Sequence, residues 1–165
     1  MVSDMCVAAA NYIIESTNAF NATRPYAEQI AMTGKRLQKL LYFSDVEYMK
    51  RNEGQSMFKE EFYAWPSGPV IPSVYYEFMQ YQDGQMVPMP GEHKPITSKM
   101  REAIDCVLER TKDMDPLDLV EYSHTRRGPW RRVYNADDPD HRQIIPKNEI
   151  YDFYKKQDMF AVSQD

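Results

Sequence analysis

The chain has 165 residues, of which 42% are hydrophobic and 27% charged, and its formal net charge is −5. So much apolar material excludes a mainly disordered chain, and the acidic balance argues against a general nucleic-acid binder. The length is that of one domain, large enough to bury a core without metal or disulfide cross-links. We therefore expect residues 1–160 to form a single domain and residues 161–165 a flexible tail.

The chain has two isolated cysteines, Cys6 and Cys106, which indicate the redox state of the compartment in which the protein works. Disulfide-rich and zinc-ribbon proteins need denser cysteine patterns, so we predict buried free thiols in a reducing compartment. The N-terminus shows no secretory signal, and the longest apolar runs are too short to span a bilayer. The sequence therefore predicts a cytoplasmic protein that makes no membrane contact.

The N-terminal part of the chain predicts one helix followed by a loop. Residues 4–16 have helical periodicity, and Asp4 suits the N-cap position. Residues 18–32 contain an Arg24-Pro25 step and few large apolar groups. They predict a connecting loop or irregular arm.

Residues 33–51 predict the central helix of the fold. Leu37, Leu40 and Leu41 recur at helical spacing. Tyr42 and other apolar residues occupy the remaining faces of this helix. Because a helix that is apolar on nearly all sides belongs inside a core, we expect this one to organise the domain.

Aromatic residues and prolines dominate the next segment. Residues 58–65 predict a short strand, which the turn at residues 66–69 ends. Pro72 suits the first turn of a third helix, where the missing proline N–H costs nothing.

Residues 83–95 carry three prolines and two glycines, which predicts a surface loop. Met86 and Met89 lie in this loop, and Met57 lies at the edge of the loop that precedes the strand predicted for residues 58–65. Because methionine is flexible and polarizable, we predict that these three side chains form an adaptable surface for partners.

The second half of the chain predicts three more helices and a short strand. The fourth helix begins after Thr97 or Ser98 and has the clearest apolar period of the chain. Asp115-Pro116 begins the fifth, with Leu117 and Val120 facing inward. Residues 143–145 predict a strand, and Pro146 begins the terminal helix. The predicted class is mainly α (α+β): a single compact helical domain of about six helices with a small β element.

Three sequence blocks follow one another in a specific order. They are RLQKLLYF at residues 36–43, EFYAWPSGPVIPSVY at residues 61–75 and SHTRRGPW at residues 123–130. Together they resemble the Panacea domain, the SocA-like antitoxin family also found in phage-associated proteins. The resemblance extends over nearly the whole chain.

This resemblance implies a non-enzymatic antitoxin that binds and neutralises a protein toxin encoded beside it. Some members of the family resemble proteolytic adaptors that deliver the toxin to an ATP-dependent protease. The resemblance therefore also implies an adaptor role as a second route to neutralisation.

Most motif residues are assigned to the scaffold. Gly68 allows a backbone conformation that is closed to other residues, and the flanking prolines stiffen the corner. His124 is expected to bond to backbone near the Gly128-Pro129 turn, and Trp130 to lie in the core. The scaffold residues are Leu37, Gln38, Lys39, Leu40, Leu41, Tyr42, Gly68, Pro69, Pro72, His124, Gly128, Pro129 and Trp130.

The partner-binding candidates form an aromatic group and a basic group. They are Tyr63, Trp65 and Tyr75, and the arginines Arg126, Arg127, Arg131 and Arg132. Aromatic residues at a rigid corner lose little entropy on binding. The four arginines give residues 126–132, here called the arginine segment, a charge of +4 and leave −9 on the rest of the chain.

Arginine beside tryptophan suits a protein interface, and it also suits single-stranded nucleic acid. A nucleic-acid-binding regulator that uses the arginine segment is therefore the alternative function. Pairing of these arginines with the acidic surface of the same domain is an equally simple interpretation. The negative net charge makes nucleic acid the less favoured partner.

Catalysis finds no supporting pattern in the sequence. The three histidines form no two-histidine helical metal motif, and the chain has no Gly-x-Ser-x-Gly elbow and no phosphate loop. Ser123 and His124 are adjacent, so on a helix they would point about 100° apart and make a poor dyad. We therefore predict a protein that is not an enzyme and that uses no cofactor or metal.

Overall fold

The computed structural model describes residues 1–79, 82–83 and 85–161 of the chain. The α-helices in these ranges are α1 Asp4–Ala22, α2 Gly34–Arg51, α3 Pro72–Met79, α4 Ser98–Thr111, α5 Pro116–Ser123, α6 Pro129–Val133 and α7 Lys147–Tyr154. The strands are β1 Phe62–Trp65, β2 Gly68–Val70, β3 Gln82–Asp83, β4 Gln85–Met86 and β5 Ile144–Ile145. The predicted class, mainly α with a small β element, is confirmed. Residues 162–165 of the predicted tail lie outside the described residues.

Helix α2 lies at the centre of the core. Its residues from Arg36 to Val46 are all buried, and α1, α3, α4, α5, α7 and β2 pack against it. The Thr33 hydroxyl accepts a hydrogen bond from the Arg36 amide and begins the helix. The Tyr42 ring lies edge-on against Phe62 and Tyr154, which ties α2 to the sheet and to α7.

A three-stranded antiparallel sheet, in the order β2-β1-β5, packs beside α2. Tyr63 pairs with Val70 on one side and with Ile144 on the other. Because side chains alternate along a strand, Phe62 and Ala64 enter the core while Tyr63 and Trp65 face the other way. The sheet therefore places two aromatic partner-binding candidates on its outer face.

Three amide side chains attach loops to helices. Each one bonds to both the backbone N–H and the backbone C=O of a single residue, and we call these pairs the amide clamps. They are Gln38 with Ile71, Asn11 with Met89 and Asn21 with Ile30. Each clamp satisfies two backbone groups that the fold removes, at least in part, from water.

The first helix differs from its prediction at both ends. It continues past residue 16 to Ala22, and the residue at its N-cap is Ser3, not Asp4. The extension is stable because Thr17 is buried and donates to Ile13 O, while Asn21 forms its clamp. The predicted arm is consequently shorter, and a 3-10 turn, Tyr26–Glu28, lies within it.

Several side chains lie where the sequence did not predict them. Leu117 is 64% exposed, and its neighbour Leu119 fills the inward position of α5. Met57 and Met86 are buried, so the prediction of surface methionines is wrong for both. The Met86 amide donates to Met32 O, which holds the start of the predicted surface loop against the core.

The remaining elements follow the predictions with small differences. The strand predicted for residues 58–65 begins at Phe62, and the loop predicted for residues 83–95 contains β4 and the last residue of β3. Pro129 occupies the first turn of α6, a helix that the sequence did not predict. Cys6 is buried and Cys106 half-buried, both as free thiols. In the described part of the chain, no helix is both long enough and apolar enough to cross a bilayer.

Candidate functional site: an aromatic groove on a rigid corner

The three sequence blocks meet at the turn between β1 and β2. Gly68 has φ +121°, a conformation that favours glycine. A Cβ atom at this position would lie 2.7 Å from Lys39 Cε and 2.8 Å from Ser123 Oγ. The corner therefore requires glycine for its backbone conformation and also for the close approach of α2 and α5.

Lys39 is buried at this corner with 1% of its surface exposed. Its Nζ makes a long hydrogen bond, 3.4 Å, to Pro69 O. Burial, and then the nearby charge of Lys35, lower the pKa of Lys39 to about 7. A protonated Lys39 is thus poorly compensated in the folded protein.

His124 and Trp130 form the other side of the corner. Their rings stack in parallel with centroids 3.6 Å apart, and Trp130 Nε1 donates to Trp65 O at 2.8 Å. Arg131 donates through Nε and Nη2 to His124 O. Trp130 thereby fixes the end of β1, and with it the position of Trp65.

The environment of His124 differs from the expected contact with the Gly128-Pro129 turn. Burial, and then the charges of Lys39 and Arg131, lower the pKa of His124 to about 4, although a hydrogen bond with the Ser67 backbone opposes the shift. The turn itself is closed by the Gly128 amide, which donates to Thr125 O at 2.9 Å. His124 is therefore uncharged at neutral pH and takes part in the stack.

A cavity of about 730 Å³ opens on the outer face of the sheet, and we call it the aromatic groove. It is lined by Glu60, Glu61, Tyr63, Trp65, Ile71, Pro72, Ser73, Tyr76, Asp140, His141 and Arg142. Tyr75 lies beside it, with its ring 5.3 Å from Trp65 and 5.2 Å from Tyr76. The structure therefore places Tyr63 and Trp65 in the lining of one concave surface, with Tyr75 packed against Trp65.

Eight of the eleven lining residues were not singled out by the sequence analysis, among them Tyr76, Asp140 and Arg142. Tyr76 is 61% exposed and follows Tyr75 directly, so the Tyr-Tyr pair was the available signal. Asp140 and Arg142 reach the groove from a loop more than 60 positions away, and no local pattern links them to it.

The rim of the groove carries more negative than positive charge. Glu60 accepts hydrogen bonds from the Ser3 amide and hydroxyl, while Asp140 lies 4.0 Å from Arg142 in an exposed pair. His141 has φ +49°, and its buried Nδ1 makes no hydrogen bond within the described residues. The groove thus combines aromatic faces with a rim of mainly negative charge.

The arginine segment does not line this groove. Arg126 and Arg127 are exposed, and Arg127 has φ +62°. The Arg131 guanidinium lies 5.6 Å from the Trp130 ring centroid, and that of Arg132 lies 5.8 Å from the Phe153 ring centroid. None of the four arginines forms an ion pair within the residues that the structure describes.

The geometry suits binding better than catalysis. The Ser123 hydroxyl donates to Val120 O at 2.8 Å, and the neighbouring His124 ring is stacked on Trp130. Within the described ranges, no three His, Cys, Asp or Glu side chains cluster closely enough to hold a metal ion.

Comparisons with known proteins agree with the motif analysis. The family model for the antitoxin SocA-like Panacea domain matches residues 37–131, more than half of the chain. Antitoxin SocA of Caulobacter vibrioides is 29% identical over 140 residues, which cover 78% of this chain and 70% of that protein. No solved structure matches the chain. This protein therefore belongs to the SocA-like antitoxin family and contains its Panacea domain.

Proposed function

We propose that this protein is an antitoxin that neutralises a cognate protein toxin, encoded next to it, by direct contact through the aromatic groove. The observation that carries the proposal is the family match, because residues 37–131 include β1 and α3, which supply the groove residues Tyr63, Trp65, Pro72, Ser73 and Tyr76. The curated relative is itself named an antitoxin.

The groove has the physical properties of a contact surface. Tyrosine and tryptophan are enriched among the residues that dominate interface energies. Trp65 is held in place through its backbone by Trp130, and the Gln38 clamp fixes Ile71, another lining residue of the groove. Such pre-ordering lowers the entropy that the surface loses when a partner binds.

Co-expression with the protein encoded beside this chain tests the proposal. Growth of the host, recovery of a complex and the level of the toxin are measured together. If the antitoxin acts by occlusion, growth recovers and the complex accumulates. If it acts as an adaptor for an ATP-dependent protease, growth recovers while the toxin level falls. Failure of growth to recover would contradict both routes.

Replacement of Tyr76 tests the groove itself. We expect Tyr76→Ala to weaken the complex by about 2 kcal/mol, or roughly 30-fold in Kd, because an interface tyrosine loses its whole contact area. Tyr26→Ala is the matched control, since Tyr26 is 90% exposed on the 3-10 turn and does not line the groove. If Tyr76→Ala and Tyr26→Ala bind the toxin with equal affinity, the groove is not part of the interface.

A further inference from the structure

A second, smaller cavity lies between α2 and α5. Its volume is about 220 Å³, and it is lined by Lys35, Arg36, Lys39, Pro116, Leu117 and Val120. One wall thus consists of three cationic side chains from the first two turns of α2, and the other of apolar side chains from α5. The N-terminal end of an 18-residue helix adds its positive dipole to the cationic wall.

The cations of this wall have little compensating charge: the Asp115 carboxylate at the N-cap of α5 acts on Arg36, where it opposes the lowering of the pKa by burial. Arg36 is 4% exposed and donates to Thr111 O and Met114 O, while its buried Nε makes no hydrogen bond within the described residues. Lys39 has only the long contact with Pro69 O described above. In the described ranges, no carboxylate lies within ion-pair distance of Lys35, Arg36 or Lys39.

The apolar wall also leaves side chains exposed to solvent. Leu117 is 64% exposed in the first turn of the short helix α5, and Val120, one turn further on, is half-buried. Burial of an exposed leucine side chain against a ligand is favourable because it removes apolar area from water. The cavity thus offers an apolar contact directly opposite the cationic residues.

We propose that this cavity is a binding site for a ligand that carries one carboxylate on a short aliphatic group. The carboxylate would lie against Lys35, Arg36 and Lys39, and the aliphatic group against Pro116, Leu117 and Val120. A free aliphatic acid and the C-terminal residue of a peptide chain share this chemistry. The site does not include the aromatic groove, so it does not depend on the toxin-binding proposal.

A singly charged ligand fits the donors better than a phosphate group does. Two of the Arg36 nitrogens are already committed to carbonyl groups, so little of its guanidinium remains for a ligand. Half of the lining residues are apolar, and a dianion surrounded by them would lose more hydration than the remaining donors return. A buried monoanion paired with a buried ammonium satisfies both groups.

Titration followed by amide NMR tests the proposal with three matched probes. They are N-acetyl-leucine, its uncharged analogue N-acetyl-leucinamide and 4-methylpentanoate. We expect the two carboxylates to shift the amide signals of residues 34–39 and 117–120 in a saturable manner, and the amide analogue to leave them in place. If N-acetyl-leucine binds more tightly, the natural ligand is a peptide terminus; if 4-methylpentanoate binds at least as tightly, it is a free acid.

Two sets of variants control the titration. Lys39→Met keeps the aliphatic stem and removes the charge, so we expect the Kd of N-acetyl-leucine to rise by about tenfold. Because Leu117 is largely exposed, we expect its replacement to leave the fold intact. Leu117→Asp should therefore weaken binding more than the uncharged Leu117→Asn, because aspartate repels the carboxylate.

Three results would overturn the proposal. They are the absence of saturable shifts, equal affinity for N-acetyl-leucine and its amide, and equal affinities of Leu117→Asp and Leu117→Asn for N-acetyl-leucine. The Leu117 pair gives this answer even if Lys39→Met does not fold.

Discussion

The aromatic groove and the arginine segment differ in how the fold supports them. The groove is concave, and its walls are fixed by strand register, by the Gln38 clamp and by the Trp130–Trp65 hydrogen bond. The arginine segment is exposed: two of its arginines precede α6 and two lie within it. The side chains of the latter two lie over aromatic rings of the domain. Charge density alone marked the arginines as the stronger cluster, whereas the three-dimensional arrangement favours the groove.

The two regions depend on one corner, so the largest expected effect comes from breaking it. We expect Gly68→Ala to lower the free energy of unfolding by about 3 kcal/mol, because it combines a positive φ with contacts under 3 Å to Lys39 and Ser123. Gly91→Ala is the control. Gly91 also has a positive φ, but its nearest neighbour would be 3.8 Å away, so about 1 kcal/mol is expected. Urea unfolding measures both, and equal losses would show that crowding at the corner is unimportant.

The buried charge at the corner predicts a pH dependence of stability. The pKa of Lys39 falls from 10.5 to about 7 on folding, so between these values the unfolded chain binds more protons than the folded one. The Lys39 contribution to stability should therefore rise with pH from about 7 to 10.5, while the raised pKa values of Cys6, Tyr42 and Tyr154 act in the opposite direction above about pH 9. The pKa of His124 falls from 6.5 to about 4, which adds a rise in the same direction between these two values. Urea unfolding across this range measures the trend, and Lys39→Met should remove its upper part while leaving the lower part.

The hydrogen bond from Trp130 to Trp65 links the two regions, and it can be removed without replacing a residue of the groove or an arginine. Trp130→Phe removes the bond to Trp65 O, and we expect a loss of about 1–2 kcal/mol in the free energy of unfolding. If the groove is the contact surface, toxin affinity should fall as well, because Trp65 is no longer held. Tyr134→Phe keeps a ring on the other face of Trp130 and serves as the control in calorimetry. If Trp130→Phe leaves toxin affinity unchanged, the bond that holds Trp65 does not contribute to toxin binding.

Charge reversal in the arginine segment should have the smallest effect on stability. Arg126→Glu with Arg127→Glu should leave the free energy of unfolding within about 0.5 kcal/mol, because both side chains are exposed. We expect toxin affinity to fall by about tenfold, mainly through slower association, since peripheral charges act on encounter. Surface plasmon resonance measures both rates. Unchanged rates would exclude the segment from the interface, and salt-dependent binding of single-stranded nucleic acid would support the alternative function.

Helices with strong local signals were predictable from the sequence. The start of α5 follows from Asp115-Pro116, and the structure adds the reciprocal bond from the Asp115 amide to the Asp118 carboxylate, which completes a capping box. Helix α4 follows from its apolar period and from Thr97, which accepts a hydrogen bond from the Met100 amide. Both signals are local, so tertiary packing did not need to be known.

Positions set by long-range contacts were not predictable in this way. The last turns of α1 contain Thr17 and Asn21, which are weak helix formers, and buried hydrogen bonds override that preference. The choice between Leu117 and Leu119 as the inward residue of α5 depends on the rotation of an eight-residue helix. The aromatic pair of β1 follows from alternation along the strand, but Asp140 and Arg142 join the groove only through the chain's return to β5.

The amide clamps have a consequence for the chemical ageing of this protein. Hydrolysis of an asparagine or glutamine side chain to a carboxylate replaces an N–H donor with an oxygen. At Asn11 and Asn21, that oxygen would face Met89 O and Ile30 O, and attraction would become repulsion at a partly buried site. On long storage, the protein should therefore lose order first where these two loops contact α1, before the core around α2 is affected.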